Sequence, residues 1–569
     1  MSQDASRYSA ARQPSLAEGW SLERLTPPSR LFGANGLRTG PDGRVYIAQV
    51  TGSQISALDP ATGRLDTVSA KGGEIVAPDD VAFDPNGNLY ATEVMDGRVS
   101  VRDAAGRTRV LRDDVPSANG ITFHRGRLFI GECREGGRLL ELDLTGGPPR
   151  VLLENAPMPN AMEVGPDGLL YFPLMGANEI WRIDPEGGVP ERVAGDLGVP
   201  DAVKFDSRGR IVSTQVQTGE VLRIDPRSGE RTVLAALNPG LDNLTFVGER
   251  LFVSNFTGEI TEILSDGESR AVLPGGLNWP LDLAVGAEGN LYVADGTYFY
   301  VMGADGDDRE GGEAGRSGSS PIRPGDDREG GEAGRSGSSP IRSRSLRTAG
   351  MLFSPGYPGF VRGVAAAGAG EFVVTTSNGQ VSRYRPASNE SDVLAEGFDQ
   401  LYGVAVAPDG AVVAAELGAG RVLSIRAGRV EVLASGLSDP VGVAIAPDGT
   451  CLVTEAGAGR VVKLDGTGTL VDGLRRPQGI LVRDGQVYVV DAGAKELIEF
   501  DPAAGTRRTV ASGLPVGAPP GVIPKPLLGL PPFSGPQGPF AGIAAGPDGT
   551  LYVSADAEGS VLALRHAGG

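Results

Sequence analysis

Short stretches of alternating hydrophobic and polar residues recur along the whole chain, each ended by a glycine-containing turn. Residues 78–111 and 441–471 show the unit clearly: a hydrophobic strand, a Pro-Asp-Gly or Pro-Asn-Gly turn, a second strand, a Gly-Arg-Val strand and a β-rich tail. Alternation with a period of two between such turns predicts an antiparallel meander of four strands. Each unit is therefore predicted to be one blade of a β-propeller.

A marker residue, six positions before the central turn of each unit, counts the repeats. The first six markers are about 40 residues apart, and six further markers follow with two longer intervals of 81 and 63 residues. Propellers typically have four to eight blades, so twelve repeats in one ring are not expected. The pattern predicts an all-β fold of two tandem six-bladed β-propellers.

The expected domain boundaries follow from the repeats and from changes in composition. Residues 1–18 are predicted to be disordered, residues 19–265 to form the first propeller and residues 266–569 to form the second. Residues 303–346 of the second propeller contain an 18-residue polar sequence twice, which predicts a disordered insert between the third and fourth strands of blade seven. Residues 513–540, the proline-rich loop, are expected to be ordered and to cap one mouth of a channel.

The ends of the repeats predict a strand exchange at the closures. The twelfth repeat contains only three strands, and residues 20–28 form an extra strand before the first repeat. We expect the N-terminal strand to complete the sheet of repeat six and residues 269–276 to complete that of repeat twelve. Both rings would then depend on a strand from the other half.

The marker residues differ in kind between the halves. The first strand of a propeller blade lines the central channel, so each set of six markers is expected to form a ring around its axis. The markers of the first half all carry side-chain oxygens: Asn35, Asp79, Asn119, Asn160, Asp201 and Asp242. Those of the second half are Leu281, Arg362, Tyr402, Val441, Gln478 and Ala541.

Six oxygen-bearing side chains around one axis would repel one another unless water or a cation lies between them. Oxygen ligands select a hard cation such as Ca²⁺, so the first ring predicts a calcium site. The alternative is that Asn and Asp satisfy the backbone of turns at the strand starts. The second ring, with Arg362 and three aliphatic residues, is expected to bind no metal.

A second polar set ends the second strands of the first half: Gln49, Glu93, Glu132, Gln215 and Asn255, with Leu174 in the remaining blade. These side chains could point toward the channel mouth. Acidic residues also occur at this position in the second half, which favours a structural role.

Composition excludes several classes of function. The formal charge of −19 opposes binding to nucleic acid. The two cysteines, Cys133 and Cys451, exclude a disulfide framework, and the two histidines, His124 and His566, exclude chemistry that needs several imidazoles. No stretch of about 18 apolar residues occurs, and the N-terminus lacks a signal-peptide pattern, so we expect a cytoplasmic protein without a membrane segment.

Several segments resemble a known family. The sequences SANGITF, MPNAMEVGPDGLLYF and LDNLTFVGERLFVSN are similar to those of the calcium-dependent six-bladed propellers of the SMP-30/gluconolactonase group and the related paraoxonases and diisopropylfluorophosphatases. The pair Asp242-Asn243 resembles a calcium-binding pair of paraoxonases. The resemblance covers residues 20 to about 300, and the remainder resembles only the looser NHL/SMP-30 repeat.

The resemblance implies a Ca²⁺-dependent hydrolase of a small lactone or other ester, with its site in the first propeller. Asn119, Asn160, Asp201 and Asp242 match the family's Asn/Asp ligands by position. Asp79 is added as a predicted metal ligand because it belongs to the same ring. We expect Asp242, or secondly Glu132, to act as the catalytic base. The family's first-blade glutamate ligand has no equivalent here, because Asn35 holds that position.

Two alternatives remain at this stage. A non-catalytic double propeller of the NHL type could bind a protein partner through the second ring. A further alternative is a lyase, cyclase or strictosidine synthase-like propeller enzyme. The strictosidine synthase-like role would need a channel glutamate, for which Glu93, Glu132 and Glu163 are the candidates.

Overall fold

The described part of the chain forms twelve antiparallel sheets, eleven with four strands and one with five, in agreement with the number of repeats. The structure is a computed structural model that describes residues 7, 13–264, 267–303, 346–466 and 468–567. In this part of the chain the one helical element is a 3₁₀ turn at Met175–Ala177. No helix within these ranges has the length and apolar character needed to cross a bilayer.

Sheets 1 to 6 follow one another without interruption, and each is a meander in which neighbouring strands are consecutive in sequence. Their strands are Leu37–Thr39, Val45–Gln49, Gln54–Leu58 and Leu65–Ser69 in sheet 1; Pro78–Phe83, Leu89–Glu93, Arg98–Arg102 and Thr108–Arg112 in sheet 2; Ala118–His124, Arg127–Glu132, Gly137–Leu142 and Arg150–Ala156 in sheet 3; Glu163–Val164, Leu170–Leu174, Glu179–Ile183 and Glu191–Ala194 in sheet 4; Pro200–Phe205, Ile211–Gln215, Glu220–Ile224 and Arg231–Ala236 in sheet 5; and Leu241–Val247, Arg250–Asn255, Ile260–Ile263 and Ser269–Leu273 in sheet 6.

Sheets 7 to 12 have the same form, except that the last two receive strands from the N-terminus. Their strands are Asp282–Val285, Leu291–Asp295, Tyr298–Met302 and Leu346–Met351 in sheet 7; Val361–Gly368, Glu371–Thr376, Gln380–Arg385 and Glu390–Glu396 in sheet 8; Leu401–Val406, Val412–Glu416, Arg421–Arg426 and Arg429–Ser435 in sheet 9; Pro440–Ile445, Cys451–Glu455, Arg460–Lys463 and Gly468–Val471 in sheet 10; Pro477–Arg483, Gln486–Asp491, Glu496–Asp501 and Thr506–Ser512, with Ser15–Leu16, in sheet 11; and Ile543–Ala545, Leu551–Ala555 and Ser560–His566, with Trp20–Arg24, in sheet 12.

Contacts between first strands arrange the sheets as two rings. The first strand of each sheet from 1 to 6 contacts that of the next, and the first strand of sheet 6 contacts that of sheet 1. The same circuit of contacts runs from sheet 7 to sheet 12 and back. Apolar side chains fill the spaces between neighbouring sheets, as where Tyr171 of sheet 4 packs with Val203 of sheet 5. We call these rings the first and second propellers.

The predicted direction of the strand exchange is wrong. Ser269–Leu273 pairs with Ile260–Ile263 in its own sheet 6, and Trp20–Arg24 pairs with Ser560–His566 in sheet 12. Repeat six has a fourth strand available across a short turn, and pairing across a short loop has a small entropic cost. Repeat twelve ends after three strands, so the N-terminal strand completes it. The exchange therefore runs only from the N-terminus to the second propeller.

Two other predictions concern segments at the edge of the described structure. The disorder predicted for residues 1–18 is wrong for Ser15–Leu16, which pairs with the outer strand of sheet 11. The insert predicted at residues 303–346 does separate the third and fourth strands of sheet 7, Tyr298–Met302 and Leu346–Met351. Its duplicated sequence lies outside the described residues.

The proline-rich loop lies between the two propellers. Met95 of the first propeller belongs to one apolar cluster with Trp279 and Tyr402 of the second and with Leu527 and Phe540 of the loop. Side chains and backbone of sheet 8 hold the loop: Asn378 Nδ2 donates to the carbonyl of Pro532 at 2.9 Å. The loop belongs in sequence to the second propeller and also packs against residues of the first.

Candidate functional site

The six markers of the first propeller come together at one cavity. Asn35, Asp79, Asn119, Asn160, Asp201 and Asp242 all line it. The cavity admits the centres of water-sized molecules over about 100 Å³. The predicted convergence of these side chains is therefore present in the structure, and we call them the Asn/Asp ring.

Close contact between neighbouring first strands explains the Asn-Gly sequences at two ring positions. A Cβ atom at Gly36 would collide with the backbone of Asp79 and Asp80, and one at Gly120 would collide with the backbone of Asn160. The Gly36 amide also donates to the carbonyl of Asp79 at 2.7 Å. Glycine at these sites lets the strand starts approach, which brings the preceding asparagines to the axis.

Amide groups of the ring donate to carboxylates of the ring. Asn35 Nδ2 donates to Asp242 Oδ2 at 3.0 Å, and Asn160 Nδ2 donates to Asp201 Oδ2 at 3.1 Å. The Oδ1 atom of Asn35 accepts a hydrogen bond from the Val50 backbone at 3.0 Å. These bonds orient two of the three aspartates.

Three acceptor oxygens of the ring are buried without a hydrogen-bond partner among the described residues: Asn119 Oδ1, Asn160 Oδ1 and Asp242 Oδ1. Buried polar atoms in folded proteins are almost always paired, and leaving one unpaired is costly. These three oxygens are therefore available to accept hydrogen bonds from water or a ligand, or to coordinate a cation.

The pKa values of the ring aspartates also favour a positively charged ligand. Burial, followed by the nearby Asp80 carboxylate, raises the pKa of Asp79 to about 8. Burial also raises the pKa values of Asp201 and Asp242 well above their usual range, and the neighbouring aspartates add to this effect. The negative forms of these carboxyl groups are therefore unfavourable unless a positive charge lies among them.

The donor set fits a hard cation if amide oxygens take part. In the described part of the chain, no three Asp, Glu, His or Cys side chains form a metal site on their own. A cation here would thus be held by carboxylates together with the unpaired oxygens of Asn119 and Asn160. Such mixed oxygen ligands suit Ca²⁺, which tolerates variable geometry.

A separate group of charged side chains, Arg38, Glu163 and Lys204, forms ion pairs within itself. Arg38 Nη1 donates to Glu163 Oε2 at 2.6 Å, and Lys204 Nζ lies 3.3 Å from the same oxygen. Burial alone would raise the pKa of Glu163, but these two cations lower it to about 2. Glu163, one of the candidate channel glutamates, is therefore bound in a structural network.

The predicted role of Glu132 as a base is not supported by its surroundings. Its carboxylate is fully buried, pairs with Arg138 and Arg134, and does not line the cavity. Glu93 likewise pairs with Arg98 and accepts from the Val76 backbone at 2.6 Å. These arginines follow the glutamates closely in sequence and compensate their buried charge, so neither Glu132 nor Glu93 is free to act as a base.

The histidines and the second-ring markers have other roles. His124 and His566 do not line the cavity, and His566 packs edge-on against Trp20. Leu281, Tyr402 and Val441 belong to the apolar cluster between the propellers. Arg362 lies 4.1 Å above the Tyr402 ring. Its Nη2 donates to the carbonyl of Pro536 at 2.8 Å, so this residue holds the proline-rich loop.

The opposite wall of the cavity was missed by sequence reasoning. It comes from the second propeller and the proline-rich loop, and includes Leu352, Phe353, Phe360, Leu530, Phe533 and Gln537. The Phe353 ring lies 5.3 Å from Phe533 and 5.9 Å from Phe256 of the first propeller. The sequence contained one indication of this wall, the expectation that the proline-rich loop caps one mouth of a channel. The individual wall residues could not be predicted, because they are far from the ring in sequence.

Several solved structures are similar to parts of this chain. Virginiamycin B lyase from Staphylococcus aureus is 17% identical over 48% of this chain and 96% of its own, with a TM-score of 0.36. The calcium-binding protein regucalcin from Agrobacterium tumefaciens is 20% identical over 41% of this chain and 85% of its own, with a TM-score of 0.33. A gluconolactonase from Xanthomonas campestris is 17% identical over 43% of this chain and 93% of its own, with a TM-score of 0.36.

No curated protein sequence is detectably similar to this chain. The family comparison, in contrast, gives a match in the first half. The resemblance found in the sequence is confirmed there, because residues 15–255, which carry the whole Asn/Asp ring, match the SMP-30/gluconolactonase/LRE-like region.

Proposed function

We propose that the protein is a Ca²⁺-dependent hydrolase of a small lactone or other ester, with its site at the Asn/Asp ring. The observation that carries this proposal is the set of unpaired, buried oxygens on Asn119, Asn160 and Asp242 beside three aspartates. The match of residues 15–255 to the SMP-30/gluconolactonase/LRE-like region supports the reaction class.

The ring residues would have different roles in cation binding, positioning and proton transfer. Asp79, Asn119, Asn160, Asp201 and Asp242 would hold the cation. A bound Ca²⁺ supplies Lewis acidity toward a carbonyl oxygen. Asn35 keeps Asp242 in place through its hydrogen bond to Oδ2, while Oδ1 of Asp242 has no partner among the described residues. We assign Asp242 as the group that takes the proton from the attacking water.

The surroundings of the ring would favour this chemistry by excluding bulk water. The proline-rich loop contributes Leu530, Phe533 and Gln537 to the lining, and none of the described lining residues is a lysine, arginine or histidine. A neutral ester or lactone needs no oppositely charged side chain in the cavity in order to bind there. Hydrolysis adds water across the C–O bond and gives an acid and an alcohol, or one hydroxy acid from a lactone.

The test is calcium binding together with turnover. Calorimetry should show one Ca²⁺ site in the wild-type protein, and Asp201→Asn and Asp242→Asn should each weaken it by about tenfold or more, equivalent to ~1.4 kcal/mol. The control is Asp282→Asn, which alters a buried aspartate directly after the marker residue Leu281 of the second propeller. Unchanged calcium affinity in both ring variants would refute the site.

A protein-binding scaffold is the second candidate function. Its support is a group of exposed apolar side chains on the outer strand of sheet 9: Val430, Val432 and Leu433. Outer strands carry an unpaired edge, where another chain can add. A Val432→Lys variant that lost a partner while keeping calcium-dependent turnover would show that the second propeller has this separate role.

A further inference from the structure

The proline-rich loop places an unpaired amide in the cavity. Gln537 is 7% exposed, lines the cavity opposite the Asn/Asp ring, and has no hydrogen-bond partner in the described chain for either Nε2 or Oε1. An amide can both donate and accept, so two hydrogen-bonding groups of one side chain are buried and unused. Such a group is expected to pair with a ligand or with water that occupies the cavity.

Two hydrogen bonds hold the peptide group that leads into Gln537, which restrains the position from which its side chain starts. The Gln537 amide nitrogen donates to the Leu527 carbonyl at 2.9 Å. The preceding residue, Pro536, accepts a hydrogen bond from the buried Arg362 at 2.8 Å. A side chain on so constrained a segment is suited to orienting a ligand.

Most of the rest of this wall is apolar, although Asn278, Thr297 and Ser534 also line the cavity. Phe353, Phe360 and Phe533 face the cavity together with Leu352 and Leu530. The charged lining residues are the three aspartates of the ring, on the other side. A ligand that meets both walls must therefore present polar oxygens to the ring and an apolar surface to the phenylalanines.

Size and charge restrict the ligand further. About 100 Å³ of space for the centres of water-sized molecules suits a ligand comparable to a single small ring. A polyhydroxylated ring would bury hydroxyl groups against phenylalanine without partners, which is unfavourable. An anionic ligand would meet three aspartates and no basic side chain of the described cavity lining.

We propose that the second propeller supplies the substrate-binding wall of the site, in which the Gln537 amide hydrogen bonds to a small neutral lactone or ester and Phe353 and Phe533 contact its apolar part. This inference rests on the proposed function for the identity of the reacting group. Gln537 is a positioning residue, and the two phenylalanines determine specificity. The preferred ligand is an apolar lactone ring, and a hydroxylated sugar lactone is a poorer one.

The test separates binding from turnover by using two ring compounds of the same size. δ-Valerolactone is the substrate, and δ-valerolactam is its poorly hydrolysed amide analogue for calorimetry. Gln537→Met, which keeps the length and removes both amide groups, should weaken lactam binding about 5- to 10-fold and raise KM for the lactone with little change in kcat. Calcium affinity should stay at the wild-type value and show that the ring is intact.

Two further variants complete the design. Gln478→Met is the matched control, because Gln478 also contacts the proline-rich loop but does not line this cavity. Its lactam affinity should match the wild type. Phe533→Asn should move the ratio of kcat/KM between δ-valerolactone and δ-gluconolactone at least about 10-fold toward the hydroxylated compound.

The outcomes distinguish this inference from the proposed function. A wild-type protein that binds the lactam in a Gln537-dependent way but hydrolyses no ester supports the binding wall and overturns the hydrolase. A wild-type protein that hydrolyses the lactone, with Gln537→Met and Phe533→Asn unchanged, supports the hydrolase and overturns the wall. Absence of lactam binding to the wild type, or an equal loss in Gln478→Met, also overturns the wall.

Discussion

Asn160 donates from Nδ2 to Oδ2 of Asp201 at 3.1 Å, and its own Oδ1, at the same cavity, has no hydrogen-bond partner among the described residues. The two residues begin neighbouring blades of the first propeller and lie 41 positions apart. One amide therefore orients a carboxylate and at the same time offers an oxygen to a ligand. This relationship makes Asn160 the ring position at which a change of charge is most informative.

Asn160→Asp should make the protein more dependent on calcium. A fourth carboxylate replaces a donor to Asp201, so the calcium-free protein should lose about 1 kcal/mol or more, roughly 2–4 °C in Tm. The added ligand charge should enlarge the rise in Tm on adding Ca²⁺. Thermal melts with calcium and with chelator measure both effects. Asn155→Asp, at an exposed position, should change neither, and equal behaviour of the two variants would contradict the assignment of Asn160.

The stability of the calcium-free protein should fall as the pH rises from about 4 to 8. The pKa of Asp79 is about 8 in the folded chain and near its usual value of 3.8 when unfolded, so the folded state binds more protons in this window. Removing those protons costs folding free energy, whereas calcium compensates the charge and should reverse the trend. Tm measured across this pH range with chelator tests the sign. Asp79→Asn should flatten the profile, and an equally steep profile in that variant would assign the effect to other groups.

Gly120→Ala should destabilise the first propeller by about 1–3 kcal/mol. The added methyl group would collide with the backbone of Asn160, which must then move from the cavity. Denaturant unfolding measures the loss, and calcium titration should show weaker binding. Gly368→Ala is the control, because a methyl group there meets no atom closer than 3.8 Å. Similar losses in both variants would contradict the importance of the close strand approach.

Deleting residues 1–24 should open the second propeller. The deletion removes Trp20–Arg24 and exposes the edge of Ser560–His566 in sheet 12, which favours association with other chains. Size-exclusion chromatography and limited proteolysis should show oligomers and cleavage in the C-terminal half. Deleting residues 1–6 should leave the protein monodisperse. A stable monomer after the longer deletion would show that the N-terminal strand is dispensable for closure.

The sequence alone determined the local architecture. The alternation of residues and the turns predicted twelve four-stranded units, because strand periodicity and turn chemistry act over a few neighbouring residues. Only the fifth strand of sheet 11, Ser15–Leu16, was not predicted. The equal spacing of Asn35, Asp79 and the later markers also indicated their convergence, since every blade places its first strand near an axis. The family resemblance of residues 15–255 could likewise be found from short motifs.

Only the tertiary structure decided which strand closes each ring and what faces the Asn/Asp ring. Ser269–Leu273 and Trp20–Arg24 are both suitable outer strands, and their partners depend on which open edge lies within reach. The sequence also left Glu132 as a candidate base, whereas in the structure its carboxylate is paired with Arg138. Gln537 and Phe353 reach the cavity because the propellers pack face to face through the proline-rich loop. Contacts over such sequence separations depend on the assembly of whole domains, and no local pattern encodes them.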